Sequence, residues 1–358
     1  MLRRTFAFLC LASLGALCDR ALQSSLFNQR EPELLGRVGD SLVVASTSPD
    51  GRLVAGLRTV GPEQWTVTVW ETTSGRQILT GPIAHPPGTA NPLGWSPDGQ
   101  VLAVGSAGEV NLFELANGRR QTLAAEWLVR DLRFSQEWLL ARCDNALYVW
   151  NWKTRRLIKR LGQDHLLSAA LDQKTGVVAA ASFQDSIRVY SLPQGKLVQS
   201  LPAGPATVNL EFTEQGERLA AAFRFRNDRS RDLAVYYEWR VGRQLARMPE
   251  PDLVGFSVSS DGHRLLTRNP EGGHIWDPAQ REPIFQFALP SLHTDSLSPD
   301  GKWVASLPSE TGQVVVWPSH GRQQPRPLKQ QDRPYRFQFF ANGLLQVVDG
   351  ACSVWKVD

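Results

Sequence analysis

Leu297-Ser298-Pro299-Asp300-Gly301, followed by Trp303-Val304-Ala305 and then by Val314-Val315-Val316-Trp317, is the stretch on which the fold turns. Two apolar strands meet across Ser-Pro-Asp-Gly. Proline presets φ at the second turn position, aspartate tolerates the third, and glycine supplies the left-handed residue that closes a hairpin. Outward along the chain the turn recurs as Ser48-Pro49-Asp50-Gly51, Ser96-Pro97-Asp98-Gly99 and Ser259-Ser260-Asp261-Gly262. Degenerate copies begin at Ser135, Asp172, Thr213 and Ala341, giving eight starts about forty residues apart, a spacing typical of repeat architectures.

A second marker runs in phase with the first. After each turn a strand ends on a large aromatic: Trp70, Phe113, Trp150, Tyr190, Tyr237, Trp276, Trp317 and Trp355. The approach alternates, as in Val67-Thr68-Val69-Trp70, which is the period of a sheet. Five residues beyond four of these aromatics stands a glycine (Gly75, Gly118, Gly195 and Gly242), a further turn into a fourth strand. Each unit is therefore expected to be four antiparallel strands, stacked radially in a ring. One aromatic per unit at a fixed strand position predicts packing against the neighbouring unit rather than a sugar- or base-stacking surface.

On these residues the chain resembles the WD-repeat (WD40-like) family of β-propellers over essentially all of residues 30–358. The closest matches are Phe256-Ser257 to Gly262 with Trp276-Asp277, and Leu297 to Gly301 with Trp317. Eight phased units predict an all-β, single eight-bladed β-propeller of four-stranded antiparallel blades, with seven blades as the alternative, and the resemblance supports the propeller fold. It implies almost nothing about function. Trp-Asp occurs only at Trp276-Asp277, a departure from the family. Asp164-His165 followed by Asp185, with Tyr190 where tryptophan is usual, comes nearest to the family's structural hydrogen-bond network. His165 with Asp185 is thus expected to brace a blade rather than to form a catalytic pair.

The last unit reaches Asp358 directly after its third strand. Arg30 to Val38 precedes the first innermost strand, Leu42 to Thr47, and has no other partner. It is expected to complete the last blade, which would remove two unpaired sheet edges.

At the N-terminus, Arg3-Arg4 precedes an apolar run of twelve, Phe6 to Leu17, and Ala16 and Cys18 occupy the small-residue positions before Asp19. This pattern predicts a secretory signal peptide over 1–18, a short segment over 19–29 and the propeller over 30–358. The run is shorter than the roughly 20 residues a membrane span needs. The expected address is the periplasm or the cell exterior, as a bacterial exported type; the sequence has no Asn-x-Ser/Thr sequon. The alternative is an envelope protein lipid-anchored at Cys18, although Leu17 does not suit a lipoprotein signal. Cys143 and Cys352 fall in the third and eighth units, so no disulfide between them is expected and packing must hold the fold.

Arg3 and Arg4 account for two of the 39 basic residues, which leaves 37 against 35 acidic ones. A surplus of two gives no concentrated basic face and argues against a nucleic-acid partner. His85, His263, His274, His293 and His320 show no metal-ligand spacing, and neither a calcium loop nor a Gly-x-Ser-x-Gly elbow is present. No catalytic, cofactor or metal residue is assigned. Asp131, Arg133 and Glu211 lie in innermost strands, where they read as polar groups beside a wet central channel rather than as acid and base.

Two functions stay open: a non-enzymatic protein-interaction scaffold, and a propeller hydrolase or oxidoreductase, lactonase-like or quinone-dependent, with a site at the channel. For a scaffold, the second-to-third-strand loops share one end of the ring with the connections between units. The longest elaborations, Arg58 to Trp65, His85 to Pro92 and Arg224 to Asp232, all fall there. Arg224, Phe225, Arg226, Arg229 and Arg231 form a candidate partner-binding loop, since arginine forks suit an unknown protein's acidic patch or another acidic ligand.

Overall fold

A computed structural model describes residues 31–357, apart from 63, 88–91, 163–165, 173, 183–185, 205, 226, 281, 289–294, 322–324, 330–332 and 341–342. The expected signal peptide, Cys18, Arg30, the Asp164, His165 and Asp185 network, Arg226 and His293 lie outside the described residues.

The architecture is all-β, with strands joined by turns and a few single-turn 3-10 segments. The first repeat shows the plan. Val44–Thr47, Leu53–Gly61, Gln64–Glu71 and Gln77–Ile83 pair in that order from the innermost strand outward. Among the described residues the strands form seven hydrogen-bonded sheets, six of four strands and one of six. Counted by sheets, the propeller has seven blades, the alternative, and not eight separate ones.

The six-stranded sheet explains the difference, because it holds the second and third repeats together. Leu93–Trp95 pairs with the first arm of Val101–Glu114, and the second arm pairs with Arg120–Phe134. The chain reverses within Val101–Glu114 near Gly108 (φ 84), bringing the Leu115 N–H to the Gln100 carbonyl at 3.0 Å. Arg120–Phe134 then runs on and pairs with Trp138–Cys143, Leu132 standing opposite Ala141. Leu123-Ala124-Ala125-Glu126-Trp127-Leu128-Val129 contains neither Gly nor Pro, so nothing interrupts the strand between the two repeats. All eight repeats still occupy the ring. Eight apolar clusters, one at each junction between successive repeats, make the core.

The phased aromatics sit in those clusters. Each lies at the junction with the preceding repeat, Phe113 against the first and Trp70 against the eighth. All but the half-buried Tyr190 are buried. This burial is the packing role expected of them.

The Ser-Pro-Asp-Gly turns share one geometry. The Ser48 hydroxyl donates to Asp50 Oδ1 at 2.7 Å and accepts from the Leu53 N–H at 2.9 Å. Asp50 Oδ1 also accepts from the Arg52 N–H at 3.1 Å, while Gly51 takes φ 75. Ser96 with Asp98, Ser259 with Asp261 and Ser298 with Asp300 repeat the arrangement. Aspartate therefore does more than tolerate the third position: its carboxylate ties the turn to the strand that follows.

The ring closes as expected. Glu33–Val38 lies antiparallel to Cys352–Lys356, with Leu34 opposite Trp355 and Val38 opposite Cys352. Arg37 Nη1 donates to the buried Asp349 carboxylate at 2.8 Å. A second brace crosses from the eighth repeat to the first. Thr47 Oγ1 donates to Gln346 Oε1 at 2.7 Å, and Gln346 Nε2 donates to the Ala45 carbonyl at 2.9 Å. Cys143 and Cys352 are buried free thiols at separate junctions, and burial raises both well above the usual thiol range.

Candidate functional site: the central channel and its loop end

Innermost strands from all eight repeats surround a central cavity of about 920 Å³. Small residues line much of it: Ser46, Gly94, Gly255, Ser257 and Ser296. Charged side chains also line it: Asp131 and Arg133 of the third repeat, Glu211 and Arg224 of the fifth, Asp295 entering the seventh and Arg336 of the eighth. The structure thus brings together all three channel residues singled out in the sequence. Arg336 was not anticipated; its repeat carries one of the degenerate turns, beginning at Ala341.

Arg133 Nε donates to Asp131 Oδ2 at 3.0 Å. The attraction of Asp131 raises the Arg133 guanidinium further, against the effect of burial and with help from Glu211. Glu211 has no hydrogen bond or ion pair among the described residues. Burial lifts its carboxyl above the usual range, Arg133 pulls it back, and Asp131 adds repulsion. Arg142 stands opposite Asp131 in the neighbouring strand. Burial lowers the Arg142 and Arg336 guanidinium groups from the usual arginine value, with Asp131 opposing the shift in each. Chemically this is a chain of alternating charge across the channel. Arg133 is hydrogen-bonded to Asp131 and electrostatically attracted to Glu211, so the two carboxylates are not left as a bare facing pair.

Asp295, at the rim, forms a fully buried ion pair with Arg268 at 2.8 Å. Burial pushes its carboxyl up to about 7, while Arg268 and Ser306 oppose the rise. Among the described residues no group of three or more His, Cys, Asp or Glu is placed to hold a metal ion.

In the loop from Arg224 to Asp232, the structure uses much of the charge internally. Arg224 Nε and Nη2 donate to the carbonyls of Leu253 and Val254 at 2.7 and 3.1 Å. Arg229 bonds Asp232 and the Leu253 carbonyl. Asp232, itself buried, accepts from the Phe225 N–H at 2.7 Å. The Arg231 guanidinium lies 4.7 Å from the Phe225 ring centre, a cation–π contact on an exposed side chain. Arg224 and Arg229 therefore fasten the loop to the connection entering the sixth repeat.

A buried network missed in the sequence occupies the sixth repeat. Trp276 Nε1 donates to Thr267 Oγ1 at 2.7 Å, and Thr267 Oγ1 donates to Glu250. Glu250 also accepts from Asn269 at 2.7 Å and contacts His274 Nδ1 at 2.8 Å. Its signal was Trp276-Asp277, the chain's sole Trp-Asp; Glu250, seventeen residues before Thr267, gave no local clue.

The loop end also carries exposed apolar side chains. Val43, Val60, Trp127 and Tyr335 are 46%, 54%, 45% and 42% exposed. They sit at the loop end of the first, second-to-third and eighth repeats, one contiguous arc of the ring.

These features define a WD40-type β-propeller. No family model and no curated protein matches the sequence. Among solved structures the chain is similar to the C-terminal WD40 domain of Sif2, with a TM-score of 0.72 at 14% identity, covering 92% of this chain and 99% of that one. At that identity the likeness establishes the fold.

Proposed function

We propose that this protein is a non-enzymatic protein-interaction scaffold, exported to the periplasm or the cell exterior, that engages its partner through the loop end of the ring. The observation that carries the reading is the arc of Val43, Val60, Trp127 and Tyr335. Exposed apolar groups clustered on one face mark interaction surfaces, and Trp and Tyr dominate hot spots. Arg231, exposed in the fifth-repeat loop at the same end of the ring, adds a cation for an acidic patch on the partner. Export rests on the Arg3-Arg4 and Phe6 to Leu17 pattern.

Two measurements test this. Cross-linking in envelope extract of the native host should capture a stoichiometric partner with the wild type and lose it with Trp127→Ala plus Tyr335→Ala at unchanged melting. An identical set of captured proteins would remove this face. N-terminal sequencing of native protein should begin at or near Asp19. An intact Met1 would overturn export, and a lipid on Cys18 would replace the soluble form with the anchored one.

A further inference from the structure

We propose that the outer rim of the third to fifth repeats is a docking surface for an anionic lipid bilayer, its aliphatic side chains entering the headgroup layer between lysine and arginine side chains. Exposed apolar groups are concentrated there: Leu157, Leu197, Val198 and Val241 are 47%, 49%, 44% and 68% exposed. Each lies in or just after the turn from the third to the outermost strand of its repeat. That is the end of the ring opposite the arc of Trp127 and Tyr335. A β-bulge brings two of them out side by side. Leu197 stands opposite Tyr190 and Gln199 opposite Val189, which leaves Val198 as the extra residue.

Direct contacts join these positions into one surface. The Lys159 side chain of the third repeat packs on Gly195 of the fourth, where an added Cβ would meet it at 2.7 Å. Gln199 Nε2 of the fourth repeat donates to the Arg240 carbonyl of the fifth at 3.2 Å.

Charge selects the occupant. Lys153, Arg156 and Lys196 are exposed on this rim and have no ion pair among the described residues. Beside them, Glu114 is committed to Arg155, Glu217 to Arg240, and Glu238 to Arg218 and Arg243. Glu137 stands without an ion pair among the described residues, one carboxylate against three cations. The sequence concentrates charge in the same place. Residues 152–201 carry eight basic and three acidic residues, whereas the rest of 19–358 holds 29 and 32. A second copy of the chain in a two-fold contact would set these cations against themselves. A protein partner is anchored best by aromatic hot spots, and this convex rim offers aliphatic groups instead. Aliphatic side chains interleaved with Lys and Arg are what an anionic membrane surface attracts.

The test is vesicle flotation of residues 19–358, which keep every described strand and lack the apolar run Phe6 to Leu17, itself able to bind lipid. The vesicles are phosphatidylcholine alone and an equal mixture of phosphatidylcholine and phosphatidylglycerol. Binding to the mixture should be at least tenfold tighter and should weaken as salt rises. Combined Lys153→Ser, Arg156→Ser and Lys196→Ser should lose at least tenfold in affinity at unchanged melting. Leu197→Ser with Val241→Ser keeps every charge and should lose several-fold. Lys302→Ser, a cation at the same end of the ring but in the seventh repeat, should bind as wild type.

Equal binding to the two kinds of vesicle, wild-type affinity in the triple variant, no effect of the aliphatic pair, or an equal loss in Lys302→Ser would each overturn the proposal. Tighter binding of poly-L-glutamate than of the mixed vesicles would overturn it in favour of an acidic protein. A concentration-dependent dimer abolished by Leu197→Ser with Val241→Ser would overturn it in favour of a second copy.

Discussion

Gly36 offers a test of ring closure in which the presence or absence of a destabilisation decides. It lies in Glu33–Val38, the strand that completes the last repeat, and a Cβ added there would sit 1.8 Å from the Thr72 carbonyl oxygen of the first repeat. Ordinary Cβ contacts start above 3.0 Å, so backbone must move by more than an ångström, and no flexible side chain is there to yield instead. Overpacking of this kind costs about 1–3 kcal/mol. The φ of Gly36 is not in the left-handed region. With the strand undocked, Gly36 would be as free in the folded chain as in the unfolded one, and Gly36→Ala would leave stability unchanged. Closed and open rings thus predict different outcomes, a loss and no change. Taking an unfolding entropy of about 2.1 cal/mol/K per residue over roughly 330 residues, 2 kcal/mol corresponds to a Tm lower by about 3 °C. Thermal unfolding followed by circular dichroism measures it, with limited proteolysis to show whether the N-terminal strand is released first. An unchanged or raised Tm for Gly36→Ala would refute the docked strand.

The Asp295 carboxyl, raised to about 7 from an ordinary 3.8, binds its proton more firmly in the folded chain than in the unfolded one. Its contribution to stability should therefore fall as pH rises from about 4 through 7. The difference between wild type and Asp295→Asn in urea melts across that window isolates the slope, and parallel curves would contradict it. Thr267→Val removes the acceptor of Trp276 Nε1 and a donor to buried Glu250. It should cost about 2–3 kcal/mol in the same melts, and a cost under about 0.5 kcal/mol would mean that the network is slack. In the fifth repeat, Arg224→Ala or Arg229→Ala should speed protease cleavage of the loop at 224–232 several-fold, because each frees it from Leu253. Arg231→Ser should leave cleavage near the wild-type rate, and equal sensitivity of all three would show that the loop is not fastened as described.

The eight turns and eight phased aromatics were legible as sequence because each is a local requirement. A hairpin turn needs its glycine, and every junction needs one large side chain at the same strand position. The ring join was legible too, from a strand left over at one end and one wanting at the other. The partition into sheets was not. Whether Arg120–Phe134 serves two repeats depends on a continuous ladder from Val110 opposite Leu123 to Leu132 opposite Ala141, and the missing turn signal becomes telling only once both pairings are known. The roles of charged residues were least accessible. Asp131 and Arg133, two residues apart, could be suspected as a pair, but Arg336 feels the charge of Asp131 only because the ring brings the third and eighth repeats around one axis. Arg224 and Arg229 looked like free cations, yet their acceptors are carbonyls more than twenty residues away. Local turn chemistry and strand period are written residue by residue, whereas the partner of a long charged side chain is decided by which distant strand the closed ring sets beside it.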